Sequence, residues 1–151
     1  MPENVDILDA LAAALRERGE LTVAATGWSM GGLLARAEAL VLRPLGPRGA
    51  AWGSVAAFRR GDRWFVHRIV LRCGARYLAK GDAVRQPDWP WLRRSDIEAQ
   101  VVAVVIGGRR RDLTGRGARW RARCQALRSL LGAGLWLLVT AARRCLRRRR
   151  F

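Results

Sequence analysis

A chain of 151 residues, half of them hydrophobic, with 29 Lys and Arg against 12 Asp and Glu and a formal charge of +17, reads as one basic globular unit. It is too apolar for a disordered chain and short for two full domains. The charge is uneven: residues 1–108 carry 15 basic and 11 acidic side chains, whereas residues 109–151 carry 14 Arg and one Asp, so the two parts are expected to do different jobs.

In chain order, residues 6–18, DILDALAAALRER, place Ile7, Leu8, Leu11 and Leu15 on one face of a helix, with Asp6, Asp9, Arg16 and Glu17 away from it. Acidic residues open this helix and basic ones crowd its end, as the helix dipole favours, and Gly19 stops it. A secretion signal would begin with positive charge and run on as an unbroken apolar stretch, so this N-terminus is expected to be neither a signal nor an anchor. Residues 1–19 form the N-terminal helical segment of the predicted organisation.

From residue 20 the pattern shifts to short runs rich in Val, Ala and aromatics: LTVAAT, ALVLRP, SVAAFR, RWFVHRIVL, RYLAK and QVVAVVIG. Runs of this length, separated by Gly, Pro or charge, predict a mainly β, antiparallel domain over residues 20–108. Tight turns are expected at PLGPRG, RRGDR and RCGAR.

Residues 109–151 form an Arg-rich C-terminal region. Within it SLLGAGLWLLVTAA, residues 129–142, is uncharged. A separate helix of that length would span about 21 Å, short of a hydrocarbon core of about 30 Å. Leu127, Leu130, Leu131, Leu135 and Leu138 recur at helical spacing, and arginines follow at 143, 144 and 147–150. An interfacial helix on an anionic membrane surface accounts for both features, as does a helix packed on the β domain with a solvated basic tail. Single-pass anchoring through residues 129–142 stays open. The three cysteines, Cys73, Cys124 and Cys145, are odd in number and lack metal-ligand spacing, and are read as reduced and structural, which favours the cytoplasm. Neither a metal nor a cofactor is expected.

The chemistry-bearing residues are few. Ser29 lies in TGWSMGGLL, on a glycine-bounded turn. A serine hydroxyl becomes a nucleophile only with a base in hydrogen-bond reach and a third group to orient that base. His67, within RWFVHRIVL, is the only histidine of the chain. Strand alternation sends Trp64, Val66 and Arg68 to one face and Phe65, His67 and Ile69 to the other. Downstream, AKGDAVRQPD carries Asp82 and Asp88 in a loop bounded by Gly81 and Pro87.

With these residues in place the chain resembles a known family. GWSM at 27–30, VHRIV at 66–70 and AKGDAVRQPD at 79–88 are similar to three ordered boxes of type I signal peptidases and their relatives in the LexA/signal peptidase superfamily. The resemblance covers roughly residues 20–108. It implies a signal peptidase/LexA-like β fold, with Ser29 as nucleophile, His67 as general base in the manner of the endoplasmic-reticulum and archaeal enzymes, and Asp88 as the carboxylate paired with the histidine. Asp82, Gly27 and Met30 take supporting places, and Lys80, in its KGD context, is not the base. The family usually has proline two residues after the methionine, where this chain has Gly32, and asparagines after its GD, where this chain has Ala83 and Val84.

The expected activity is therefore a serine endopeptidase that trims a precursor or signal-like peptide, with an extended substrate added as a strand beside LTVAATG. Its partners would be that peptide and, through the C-terminal region, an anionic membrane surface at the cytoplasmic face. The competing expectation is a catalytically degenerate relative that binds nucleic acid or membrane through its arginines. Specific nucleic-acid recognition is not expected, because no helix-turn-helix precedes the β domain and few aromatics interleave the arginines. Self-cleavage is a further variant, with Ala50 in RGAAWG as the nearest small-residue site.

Overall fold

Helix α1 (Glu3–Arg18) ends where expected, with Arg16 and Arg18 in its last turn and Gly19 N–H donating to Leu15 O at 3.0 Å. The computed structural model describes residues 3–25 and 29–148, with side chains from 9 to 25 and from 29 to 134. Ala12 and Leu15 are the buried face of α1, Leu15 at 1% exposure. The side chains of Ile7 and Leu8 lie outside the described set.

Among the described residues eight strands follow: β1 (Leu21–Ala24), β2 (Ala39–Pro44), β3 (Val55–Arg60), β4 (Arg63–Cys73), β5 (Arg76–Lys80), β6 (Asp88–Arg93), β7 (Ile97–Ile106) and β8 (Arg109–Asp112). They form one sheet in the order β1-β2-β7-β3-β4-β5-β6, with β8 paired to β7, and every pairing is antiparallel. The fold is mainly β, as the alternation of short apolar runs predicts.

The sheet buries side chains on both faces. Strand β3 shows how: Val55 and Ala57 join the core formed by Leu15, Met30, Leu40, Leu42, Ala99, Val101 and Val104, while Ala56 and Phe58 join Ala50, Ile69, Tyr77, Ala79, Leu92 and Ile97. Small alanines at 56, 57, 79 and 99 keep the sheet thin where bulky residues meet from each side. Two of the predicted turns join hairpins directly, β3 to β4 across Gly61–Asp62 and β4 to β5 across Gly74–Ala75.

Two strands have no counterpart among the predicted runs. In β6, DWPWLR, the proline argues against a strand. It is tolerated because β6 pairs only with β5 and forms an end of the sheet. The four residues of β8, RRRD, are all exposed, so no apolar alternation marks them. They pair as the return of a hairpin across Gly107–Gly108. The sheet thus runs past residue 108.

The C-terminal helix also differs from expectation. Residues 129–142 are not a separate short helix but part of α2 (Arg116–Arg148), 33 residues and about 50 Å long. Its docked face is made of small side chains, Ala126, Ser129 and Ala133, buried at 0%, 8% and 4% exposure. Close approach explains the choice: the backbone of Gly53 lies so near Ala122 that a Cβ there would sit 3.0 Å from the helix backbone. The leucine stripe turns outward instead, with Leu127 at 48% and Leu131 at 65% exposure beside Trp120 at 68%. Leu130 is half-buried, and the side chains of Leu135 and Leu138 lie outside the described residues. Among the described residues no helix is long and apolar enough to cross a membrane. Cys73 and Cys124 are free but exposed, so they do not serve as packing residues; the side chain of Cys145 is outside the described set.

Candidate active site

Strand β4 supplies the histidine. Its central residues, His67 to Val70, are buried, and register Ala56↔His67 sets the imidazole beside the aromatic end of β3. The ring packs edge-on to Phe58, centroids 6.0 Å apart, and tilted against Phe65 at 6.1 Å. Two phenyl rings therefore fix the imidazole plane and keep water from one side.

The nitrogens of that ring reach the two other candidates. His67 Nε2 lies 2.9 Å from Ser29 Oγ, and His67 Nδ1 lies 2.5 Å from Asp88 Oδ2. With Asp88 ionised, Nδ1 carries the proton and donates to the carboxylate, leaving Nε2 to accept from the serine hydroxyl. The histidine side chain is 7% exposed and the aspartate 22%, so the pair is shielded while one carboxylate edge stays wet. Sequence types suggested Asp88 in a loop; it is the first residue of β6, paired opposite Ala79, so β5 sets its position. Arg60 reinforces this, its guanidinium donating to the backbone carbonyls of Asp88, Trp89 and Pro90, with Pro90 O at 2.5 Å. The Trp89–Pro90 bond is cis.

Ser29 follows β1 on a loop anchored by its neighbour. Met30 is buried in the core with Leu15 of α1, which ties the adjoining Ser29 to the sheet. Gly32 has φ +63°, a conformation that proline, locked near −65°, does not reach and that glycine adopts without strain. Gly31 packs against Asp82, a Cβ at 31 falling 3.6 Å from Asp82 Cβ. Gly27 lies outside the described residues.

Among the described residues Asp82 makes no hydrogen bond to the histidine; it accepts two from Arg68, Nε at 2.9 Å and Nη2 at 2.6 Å. Arg68 Nη1 donates to Gly53 O at 2.8 Å, and both side chains are almost fully buried. This ion pair braces the loop after β5 against the loop before β3. Arg68 gave no signal in the sequence because it is one of 29 basic residues, although it directly follows His67.

Lys80 is buried, and its Nζ donates to Gly81 O at 3.2 Å and Ser129 Oγ at 2.8 Å. Burial pushes its ammonium below the ordinary lysine range, and the nearby Asp82 and Asp88 charges oppose that shift. Neither of its hydrogen bonds goes to the serine hydroxyl, which lies within reach of His67 Nε2. The next residue, Gly81, has no room for a side chain: a Cβ would lie 2.5 Å from Ser29 O and 3.1 Å from His67 Nε2. Ala83 N–H donates to Ser29 O at 3.0 Å, which closes the loop onto the nucleophile. Between the Lys80–Arg85 segment and α2 lies a cavity of about 500 Å³.

Among the described residues no group of three or more His, Cys, Asp or Glu is arranged to hold a metal ion. Ala50, the candidate self-cleavage site, is fully buried, so its backbone is closed to attack in the folded chain. No family model, curated protein or solved structure matches the chain.

Proposed function

We propose that the protein is a serine endopeptidase working by a Ser29–His67–Asp88 relay, akin to the histidine-dependent signal peptidases it resembles. The observation that carries this reading is the unbroken pair of contacts from Ser29 Oγ to His67 Nε2 and from His67 Nδ1 to Asp88 Oδ2, at 2.9 and 2.5 Å.

In this mechanism Ser29 Oγ attacks the scissile carbonyl as its proton passes to Nε2, and Asp88 stabilises the imidazolium that forms. His67 returns the proton to the leaving amine as the C–N bond breaks, leaving an ester on Ser29. A water, deprotonated by the same nitrogen, then releases the acyl half and restores the serine. The peptide substrate is held extended. Strand β1, which precedes Ser29 in the chain, pairs among the described residues only with β2 and so offers an open row of backbone donors and acceptors for it.

The substrate class is a precursor or signal-like peptide, and the enzyme works in the cytoplasm at an anionic membrane surface. The outward face of α2, with Trp120, Leu127 and Leu131 among arginines, supports the membrane part, since apolar side chains and cations together favour an interfacial helix. The same face also supports the second reading, a non-catalytic protein that binds polyanions.

Labelling with a fluorophosphonate, followed by peptide mapping, separates the two. The peptidase is labelled at Ser29, and Ser29→Ala, His67→Ala and Asp88→Ala each lose labelling and peptide cleavage with an unchanged circular dichroism spectrum. Undiminished cleavage by Ser29→Ala would end the proposal. Retention of the full chain on DNA at physiological salt, with no labelling, would favour the binding protein.

A further inference from the structure

We propose that Ser129 of α2 is a positioning residue for the Ser29–His67 pair, acting through Lys80 and Gly81, and that α2 is thereby a working part of the active site. The inference rests on the peptidase reading for its kinetic consequence, and on geometry alone for its structural one.

The Lys80 to Ser129 contact is the sole side-chain hydrogen bond between α2 and the sheet among the described residues. It joins two groups that are both withdrawn from solvent, Lys80 at 4% and Ser129 at 8% exposure. An ammonium in such a place is costly, and an apolar side chain of similar length would pack there without a charge to desolvate. Its retention is explained by what it holds. Nζ also donates to Gly81 O at 3.2 Å, so one ammonium pins the catalytic loop to the helix.

Packing alone does not pin it. The cavity of about 500 Å³ opens beside the bond, lined by Lys80 and Val84 on the loop and by Gln125, Ser129 and Ala133 on the helix. The loop therefore has room to move where it meets α2, and the hydrogen bond joins the Arg68–Asp82 ion pair in fixing its place. On its other side the same loop has no slack. Gly81 lies against Ser29 O and His67 Nε2, and Ala83 N–H holds Ser29 O at 3.0 Å. A shift of the Gly81 peptide is passed directly to the distance between Oγ and Nε2, and a misplacement of about 1 Å in such a pair is worth about 100-fold in rate.

The test uses the full chain and three variants, Ser129→Ala, Ser129→Thr and Lys80→Met. His67, the only histidine, gives a ring ¹⁵N spectrum that needs no assignment. In Ser129→Ala the Nε2 resonance moves, reporting a weakened bond to Ser29, and the maximal rate of fluorophosphonate acylation falls 10- to 100-fold while the probe's half-saturating concentration stays within about twofold. Lys80→Met does the same. Ser129→Thr, which keeps the hydroxyl, restores both readouts to within about threefold.

Unchanged ring resonances and rate in a folded Ser129→Ala overturn the proposal. So does a Ser129→Thr variant as impaired as the alanine, since the hydroxyl would then be irrelevant. If the parent chain is never labelled yet its histidine resonances respond to Ser129→Ala and recover in Ser129→Thr, the peptidase reading fails and the positioning role stands.

Discussion

His67 illustrates how much of one residue's role is set by what surrounds it. Two phenyl rings hold its plane, a carboxylate holds one nitrogen, and the other faces a hydroxyl. Replacing Asp88 by Asn keeps the shape but offers Nδ1 an amide, which allows the wrong tautomer, so acylation of Ser29 is expected to fall on the order of 10⁴-fold, as measured by probe labelling. The Arg68–Asp82 pair calls for a different outcome. Arg68→Met leaves the 2%-exposed Asp82 carboxyl without its cation, a loss of about 3–5 kcal/mol in chemical denaturation. At this scale the serine and histidine were legible from residue type, because a chain with one histidine offers one candidate. Asp82 and Asp88 were separated only by the resemblance, and Arg68, Lys80 and Ser129 were hidden: arginine is everywhere in the chain, and nothing local distinguishes a buried lysine from a solvated one.

Elements were legible wherever burial imposes a period. The runs that became β2, β3, β4, β5 and β7 are apolar because the sheet is covered on both sides, whereas β6 and β8 lie where pairing continues with little burial and so left no pattern. In α2 periodicity alone left two readings open. Leucines at helical spacing fit a membrane-facing stripe or a packed face, and alanine and serine occupy the packed face because the helix backbone lies close against the Gly53 loop. The outward leucines can therefore be changed without disturbing the fold. Leu127→Glu with Leu131→Glu is expected to leave the melting temperature within a few degrees of the parent and to weaken binding to phosphatidylserine vesicles at least tenfold in a sedimentation assay. Equal binding by the double variant would remove this face from the membrane reading.

Across the whole molecule, the buried lysine links proton binding to stability. In the unfolded chain Lys80 titrates at its ordinary value of 10.5, and in the folded chain at a lower one. Below both values each state holds the proton and the burial penalty is present in full. Between them the unfolded chain binds more protons, so stability rises with pH, and above both the penalty is gone. Urea midpoints measured from pH 7 to 10.5 are expected to climb in the parent relative to Lys80→Met, with the difference between the two chains shrinking toward the alkaline end. The charge asymmetry was legible as soon as the chain was divided, but its meaning depends on α2, which carries nine of the fourteen C-terminal arginines on a long helix whose inner face meets Lys80 at the end of β5. The basic region and the β domain are thus not independent halves.

The unpaired side of β1 does not distinguish a peptide to be cut from the same edge of another copy. Two molecules meeting there would each cover the approach to the other's serine, so turnover per molecule should decline as the protein is concentrated and recover on dilution. Crowding would then act as a reversible brake on the proposed peptidase, which would be most accessible when scarce.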